Sequence, residues 1–236
     1  MFKKSLSALL IAALLCLSLT GCAAAYEKYT MSVYDTFDTV VTIIGFARSQ
    51  TEFDEITARA RALFTRLHRL YDQYTPYEGV ANVYQLNRDA AKAPVPVEKE
   101  LFDLLAYCRD IQPLVNGKVN IAMGAVLSIW HDFREAADLD PASAALPTLD
   151  KLKAASAHTD IDDLVLDPVR QTVYFADPLL KLDVGAVAKG YAAGLAGDLL
   201  DASAMPSYIL SAGGNIVAGK APMDGRMRWG VSVQDP

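Results

Sequence analysis

An apolar stripe of helical period runs through the first third of the chain. It follows Ser49 and Glu52, whose spacing has the form of a helix-capping box. The apolar residues then recur at alternating spacings of three and four: Phe53, Ile56, Ala60, Leu63, Leu67, Leu70 and Tyr74. This period predicts a long helix, ended by Pro76 and Gly79, with one face buried against a core. The rest of the chain must therefore supply an apolar surface that covers several helical turns.

Strand and helix signals alternate irregularly along the rest of the chain. Runs rich in β-branched or apolar residues predict strands at 39–46, 164–166, 172–175, 179–183, 208–210 and 227–233, with a tight hairpin at Asp167-Pro168. Helices are predicted at 97–111, 149–157 and 187–200, a turn followed by a helix-like segment at 116–130, and a loop at 134–147. This mixture predicts an α+β fold, with helices packed on a mostly antiparallel sheet.

The amino terminus has the pattern of a secretory signal. Lys3 and Lys4 precede an uncharged apolar run over residues 6–19, which is shorter than the ~20 residues of a spanning helix. The run ends in Leu19-Thr20-Gly21-Cys22, which resembles the bacterial lipobox, whereas the alternative is an uncleaved signal anchor. We expect residues 1–21 to be a lipoprotein signal peptide and Cys22 to carry lipid. The protein is then anchored on the extracytoplasmic face of a bacterial cell membrane.

Composition limits the means of stabilisation and the partners. Cys16 lies in the predicted signal and Cys22 at the predicted lipid, which leaves Cys108 as a small core residue and no pair for an intramolecular disulfide. Stability must come from burial, which a hydrophobic content of 52% permits. Without Lys3 and Lys4, 20 basic residues face 28 acidic ones, a net charge of −8. An acidic protein of this kind argues against a nucleic-acid partner.

The segment Leu182 to Ala192, LDVGAVAKGYA, carries the strongest chemical signal. A predicted strand brings Asp183 to a glycine turn, and a helix follows at once. The amide groups and dipole of a helix start favour an anion, and Lys189 could add a positive charge to a phosphate or pair with Asp183. The spacing is not that of a P-loop, because Tyr191 follows Gly190. Spacing alone also fits a plain strand–turn–helix packing joint.

Five segments resemble the ApbE family of flavin transferases. Residues 182–192 resemble its D-x-G-x-x-A-K-G-Y-A motif, and Ser211-Ala212-Gly213-Gly214-Asn215 resembles its L-G-G-N/D turn. NGKVNIAMGAVLSIW at 116–130, Phe37-Asp38-Thr39-Val40 and the stretch 71–87 ending in Leu86-Asn87 resemble three further family segments in the same order. The resemblance implies a T-fold-related α+β domain over 22–236. It also implies an enzyme that moves FMN from FAD to a Thr or Ser hydroxyl of extracytoplasmic flavoproteins, with Mg²⁺ as cofactor and AMP released.

The resemblance also implies which residues bind. The positions expected to contact FAD are Phe37, Tyr74, Lys118, Val119, Asn120, Asp183 and Lys189, and the carbonyl oxygen of Ala186 is expected to bind Mg²⁺. Tyr77 is a close rival to Tyr74, because the loop here differs in length from many relatives. Core packing is the competing interpretation of Phe37, Tyr74 and Tyr77. No residue is assigned a catalytic role.

The chain departs from the family pattern in two places. It stops at Asp235-Pro236, and the H-x-I-D-P and D-x-x-x-T/S segments that supply side-chain metal ligands in relatives do not occur. Within the segment 116–130, the aspartate that usually precedes the family's T-V-G stretch is Asn120 here. The three histidines, His68, His131 and His158, lack metal-ligand spacing and are interpreted as surface or core residues. We therefore expect a domain truncated at its carboxyl terminus, weak or inactive alone.

Three functions remain open from the sequence. The first is a transferase, the second a lipoprotein that binds FAD without transferring FMN, and the third a structural lipoprotein without a ligand. The first two share Asp183 and the helix start, so the motif does not separate them. The sequence names no acceptor and does not separate magnesium from calcium or manganese.

Overall fold

The structure is a computed structural model that describes residues 25–233. Its helices and strands follow in the order β1 (Glu27–Thr36), β2 (Thr39–Ala47), α1 (Gln50–Tyr71), α2 (Val83–Asp89), β3 (Val95–Pro96), α3 (Lys99–Ile111), α4 (Gly124–Leu139), α5 (Leu149–Ser156), β4 (Leu164–Asp167), β5 (Thr172–Phe175), α6 (Gly185–Asp201), β6 (Ser207–Ala212) and β7 (Asn215–Ala218). Short 3₁₀ turns lie at Pro113–Val115, Pro141–Ser143 and Ile161–Asp163.

Two antiparallel sheets form the frame. The larger has the strand order β1-β2-β6-β7 and the smaller β3-β5-β4. In the larger sheet Ile43 of β2 lies opposite Leu210 of β6, and both are fully buried beneath α1 and α6, which pack on the sheet and on each other. The expected α+β fold, with helices on a mostly antiparallel sheet, is therefore confirmed.

Helix α1 forms as its sequence predicts. The Ser49 hydroxyl accepts a hydrogen bond from the Glu52 amide at 3.1 Å, and the Glu52 carboxylate accepts one from the Arg48 amide at 2.7 Å. The capping box thus closes, with Arg48 rather than Ser49 as the second donor. The buried stripe includes Phe53, Ile56, Ala60, Phe64, Leu67 and Leu70. The helix ends at Tyr71, so Tyr74 lies in the loop beyond it.

Several other predicted elements are present. The strand at 39–46 is β2, the hairpin at 164–175 is β4 and β5, and the helices at 97–111, 149–157 and 187–200 are α3, α5 and α6. The turn at Asn116-Gly117 has positive φ at both residues, 53° and 68°. Cys108 is buried in α3, where burial raises the pKa of its thiol to about 11. This supports the interpretation of Cys108 as a core residue.

Three predictions were wrong. Residues 179–183 form no strand, because the Lys181 backbone makes only an isolated bridge to Met123 and the backbone groups of Leu182 are bonded by the Asn87 side chain. Residues 227–233 form no strand either; β6 pairs instead with β7, which follows the Gly213-Gly214 turn directly. The predicted loop at 134–147 begins as helix, since α4 continues through Leu139. Strand β1 and helix α2 were not predicted.

The predicted signal peptide at 1–21, with Cys16, and the lipidation site Cys22 lie outside the described residues. Within 25–233, none of the helices combines the length and apolar character needed to span a bilayer.

Candidate functional site

Asp183 is the last residue of an extended segment, residues 180–183, that is held by neighbours distant in the sequence. The Asp183 amide donates to the Ile121 carbonyl at 2.8 Å, and the Gly124 amide donates to the Lys181 carbonyl at 3.0 Å. The Asn87 side chain bonds both backbone groups of Leu182, accepting from its N–H at 2.7 Å and donating to its C=O at 2.9 Å. An amide side chain thus takes the place of a neighbouring strand.

The Asp183 carboxylate is fixed at both oxygens. Oδ1 accepts from the Gly185 amide at 2.9 Å, and Oδ2 accepts from Gln73 Nε2 at 2.9 Å. Helix α6 begins at Gly185, and the Val187 amide donates to the Val184 carbonyl. Two of the first three amides of α6 are therefore already bonded within the chain. The expectation of a helix start with free amides for an anion is corrected accordingly.

Lys189 is the cation next to this helix start. Its side chain is half-buried, and within residues 25–233 it takes part in no ion pair. The predicted alternative, a pair with Asp183, is not formed. A half-buried ammonium without a carboxylate partner is suited to a phosphate.

Asp72 organises the loop after α1. Its Oδ1 accepts from the amides of Tyr74 and Thr75 at 2.7 and 3.0 Å, and its Oδ2 accepts from the Tyr77 hydroxyl at 2.9 Å. Burial, followed by the bond to Asp72, raises the pKa of the Tyr77 phenol. Tyr74 is 54% exposed, and its ring stacks on His131 at a centroid distance of 4.4 Å. Tyr74 thus presents an open aromatic face, whereas Tyr77 is tied to the loop.

Phe37 occupies the turn between β1 and β2. Phe37 and Asp38 have φ angles of 56° and 49°, in the left-handed region that non-glycine residues rarely adopt. The Phe37 ring meets the rings of Phe64, His68 and Tyr71 at centroid distances of 6.2, 5.6 and 6.3 Å. The Phe37 amide donates to His68 Nδ1 at 3.3 Å. The aromatic contacts hold Phe37 beside the end of α1, where it is half-buried.

Two clefts meet at this point. The first, here called the Lys189 cleft, has a volume of about 390 Å³ and includes Phe37, Asp72, Tyr74, Gly185 and Lys189 in its lining. The second, the Arg88 cleft, has a volume of about 280 Å³ and includes Tyr84, Arg88, His131, Lys181 and Asp183. Gln73 and Tyr74 line both clefts. The two clefts are therefore neighbours, separated by these two side chains.

The remaining predicted site residues lie apart from the two clefts. Val119 and Ala186 line a largely apolar groove of about 600 Å³ on a different side of α6. Lys118 is exposed after the Asn116-Gly117 turn. The Asn120 side chain donates to the Thr159 carbonyl at 2.8 Å and accepts from the Ala122 amide at 2.9 Å, so both ends of its amide are in use. The structure brings Phe37, Tyr74 and Lys189 together, with Asp183 next to them.

The described residues do not fit a magnesium site by themselves. Within 25–233, no group of three His, Cys, Asp or Glu side chains is arranged to hold a metal ion. Both oxygens of Asp183 already accept hydrogen bonds, and the Ala186 carbonyl belongs to the first turn of α6. Mg²⁺ in proteins usually takes one or two carboxylates together with water and phosphate oxygens. The role of the Ala186 carbonyl stays a prediction.

The three histidines have separate surroundings. His68 packs on Phe37, His131 stacks on Tyr74, and His158 Nδ1 lies 2.6 Å from Asp177 Oδ2. His68 lines the Lys189 cleft and His131 the Arg88 cleft. The sequence interpretation of the three histidines as surface or core residues therefore did not anticipate that His68 and His131 line clefts.

Sequence reasoning missed Gln73, Asp72 and Asn87 as parts of the site. Leu86-Asn87 belonged to a segment of family resemblance, which was a usable signal for Asn87. Asp72 follows the last residue of α1, and aspartates commonly bond backbone amides two residues on. Gln73 gave no signal, because its partner Asp183 is 110 residues further along the chain.

The fold and these clefts define the class of the protein first. It is an α+β protein whose candidate ligand site lies where an extended segment ends on an aspartate and the next helix begins. A family model described as the ApbE family matches residues 29–236, and the chain belongs to that family.

Relatives and solved structures agree with the family. The FAD:protein FMN transferase of Treponema pallidum (strain Nichols) is 29% identical over 194 residues, 77% of this chain and 52% of the relative. A Klebsiella pneumoniae (strain 342) protein of the same name is 26% identical over 231 residues, 94% of this chain and 63% of the relative. The chain spans about half the length of several curated relatives, 52% and 48% in two cases.

Solved structures share the fold. The flavin transferase ApbE from Vibrio cholerae matches with a TM-score of 0.74 at 18% identity, over 89% of this chain and 65% of that chain. The Pseudomonas stutzeri flavinyl transferase ApbE matches with a TM-score of 0.70 at 20% identity, over 85% of this chain and 61% of that chain.

Proposed function

We propose that this chain binds FAD in the Lys189 cleft and belongs to an enzyme that transfers FMN from FAD to a protein hydroxyl. The observation that carries the proposal is the convergence of Phe37, Tyr74 and Lys189 on one cleft beside Asp183. Two aromatic side chains and one cation suit a ligand with flat rings and phosphates. The family and the names of the relatives support the same function.

The size of the site is compatible with part of a dinucleotide. The Lys189 cleft, at about 390 Å³, lies within the usual range of about 300–1,000 Å³ for small-molecule sites, and the adjoining Arg88 cleft, at about 280 Å³, lies just below it. In this proposal Lys189 meets a phosphate, the exposed ring of Tyr74 contacts a ring of FAD, and Phe37 closes the opposite side.

The reaction is a phosphoryl-type transfer. The hydroxyl oxygen of a Thr or Ser attacks the phosphorus on the FMN side and forms a new O–P bond. The bond from this phosphorus to the bridging oxygen breaks, AMP leaves with that oxygen, and the hydroxyl proton is released to solvent. Such transfers depend on in-line positioning and neutralised phosphate charge. Lys189 supplies charge, and the hydrogen bonds to Asp183 fix the geometry of the helix start. Because residues 25–233 do not by themselves fit a magnesium site, no part of this reaction is assigned to a metal.

Location and acceptors follow from the predicted signal and from the family. We propose a lipoprotein attached through Cys22, outside the cytoplasm, acting on flavoproteins of membrane or extracytoplasmic redox systems. The acidic composition, with a net charge of −6, is consistent with partners other than nucleic acid.

A second candidate function is FAD binding without transfer. It is favoured by one observation, that residues 25–233 contain no cluster of side chains arranged for a metal. Incubation with FAD, Mg²⁺ and an acceptor protein, followed by in-gel flavin fluorescence, separates the two. Labelled acceptor supports the transferase, whereas FAD bound with no label supports the binding protein.

Binding itself is tested by titration of FAD into the purified protein with Mg²⁺ present. We expect Asp183→Ala to weaken binding more than Lys189→Ala, because Asp183 also fixes the start of α6 and the position of Gln73. An equal or reversed order removes Asp183 from this role. A wild-type protein without affinity for FAD overturns the proposed function.

A further inference from the structure

Gln73 is the residue that the two clefts share and that the proposed function leaves without a role. Its Nε2 group donates two hydrogen bonds, to the Tyr74 hydroxyl at 2.7 Å and to Asp183 Oδ2 at 2.9 Å. Since an ionised carboxylate only accepts hydrogen bonds, the nitrogen of the amide must face Asp183. The orientation of the amide is therefore fixed by its partner, and Oε1 points the other way.

The amide oxygen of Gln73 is the unusual atom. Oε1 is buried and, within residues 25–233, has no hydrogen-bond partner. A buried acceptor without a donor destabilises the fold, because its bond to water is lost and not replaced, and native proteins rarely keep one without a reason. A ligand with a suitably placed N–H or O–H group would remove this destabilisation when it binds.

We propose that Gln73 is a specificity-determining residue that accepts a hydrogen bond from the bound nucleotide through Oε1, while its Nε2 holds Tyr74 and Asp183. The inference rests on the proposed function. Flavin nucleotides carry such donors as the imide N–H of the flavin ring, the hydroxyls of the sugar and ribityl chains, and the adenine amine. A phosphate oxygen offers no proton at neutral pH and does not satisfy Oε1.

The test is a double-variant cycle on the full chain, with FAD affinity measured by titration up to about millimolar concentration. If Oε1 contacts the ligand directly, Gln73→Met weakens FAD binding about three- to tenfold, as expected for one hydrogen bond. This loss of FAD affinity is expected both when Gln73→Met is made in the wild-type chain and when it is made in the Asp183→Ala variant. If Gln73 acts only through Asp183, the second loss is absent, and the inference is wrong.

Gln50→Met is the matched control. Gln50 Nε2 also donates to a carboxylate, Asp54 Oδ1 at 2.7 Å, but on the exposed face of α1. It should leave FAD affinity unchanged. Thermal unfolding of each variant without ligand shows whether the fold is kept.

A ligand series provides the second measurement, which also decides the case if Asp183→Ala binds too weakly to titrate. Wild type and Gln73→Met are compared with FAD, FMN and ADP. Direct contact predicts a loss confined to the ligands that carry the donor, whereas a uniform loss across all three overturns the inference. A wild-type chain that binds none of them defeats the proposed function instead, so the two failures are distinguishable.

Discussion

The strands of the larger sheet and the segment at 180–183 are both extended, yet they are held by different means. In the sheet, β2 is bonded along its length to β1 on one side and β6 on the other. In the segment, the backbone has two bonds, one to Ile121 before α4 and one to Gly124 at the start of α4, and the Asn87 side chain supplies the bonds to Leu182. The sheet depends on many equivalent backbone bonds, whereas the segment depends on a few individual residues.

This difference in hydrogen bonding means that substitutions affect the sheet and the candidate site differently. A side-chain substitution on a sheet strand leaves the backbone ladder intact, because no side chain takes part in it. A substitution at Asn87 or Gln73 removes a side-chain hydrogen bond to Leu182 or Asp183, and a side chain at Gly124 would collide with the backbone of Lys181 and Leu182. We therefore expect substitutions in the site to lower the free energy of unfolding more than substitutions in the sheet.

The largest effect is expected for Gly124→Ala. A Cβ at Gly124 would lie 2.6 Å from the Lys181 carbonyl oxygen and 2.8 Å from the Leu182 carbonyl carbon, both backbone atoms with little room to move. We expect a loss of about 2–3 kcal/mol in the free energy of unfolding, the upper part of the usual range of about 1–3 kcal/mol for overpacking. Urea unfolding measures it.

Gly194→Ala in α6 is the control for that experiment. A Cβ at Gly194 meets no atom within 4 Å, so alanine should stabilise the helix by about 0.5–1 kcal/mol through its higher helix propensity. If both alanine variants change the free energy of unfolding in the same direction, the close backbone contact is not the reason that position 124 requires glycine.

Asn87→Ala should rank second. It leaves the N–H and C=O groups of Leu182 without their partner, which costs about 2 kcal/mol in stability. In the sheet, Thr42→Val removes a hydroxyl that bonds Ser32 on the exposed face at 3.1 Å, and its cost should stay within about 0.5 kcal/mol. Equal losses from both variants, measured by denaturant unfolding, would show that the segment is no more fragile than the sheet.

The sequence predicts the sheet-and-helix frame better than the site, for a physical reason. Helices α1 and α6 and the hairpin of β4 and β5 are specified by periodicity and turn residues over short stretches. Strand β1 carries the same kind of signal, since Tyr29, Met31 and Val33 alternate with exposed residues, although it was not predicted. For these elements the information is local.

The segment at 179–183 was predicted to be a strand because it is a short apolar run. Such a run does not indicate which part of the chain will bond its backbone. The hydrogen bonds of the segment come from Asn87, 95 residues earlier, and from Ile121 and Gly124. The hydrogen bond from Gln73 to Asp183 joins residues that are even further apart in the sequence, by 110 positions. The fold also explains one glycine of the motif. A Cβ at Gly190 would lie 3.2 Å from Asn215 Oδ1, because two segments of family resemblance meet there.

The smallest effect concerns the start of the segment, where side chains again replace backbone pairing. Asp177 accepts from the Leu179 amide at 2.7 Å and lies 2.6 Å from His158 Nδ1. The Leu179 amide first, and then the His158 bond, lower the pKa of Asp177 below its ordinary value of 3.8. A carboxyl whose folded pKa is lowered stabilises the fold above its unfolded pKa. This stabilisation is lost as the pH falls through the folded value.

Asp177→Asn should therefore lower the melting temperature slightly near neutral pH, and the difference from wild type should shrink as the pH is lowered from about 6 to about 3. His158→Gln should retain most of the dependence, because the Leu179 amide is the larger cause of the shift. A difference between wild type and Asp177→Asn that stays constant over this pH range would mean that the carboxylate charge does not hold the segment. The turn before Asp183 would then be fixed by its backbone, as the sheet is.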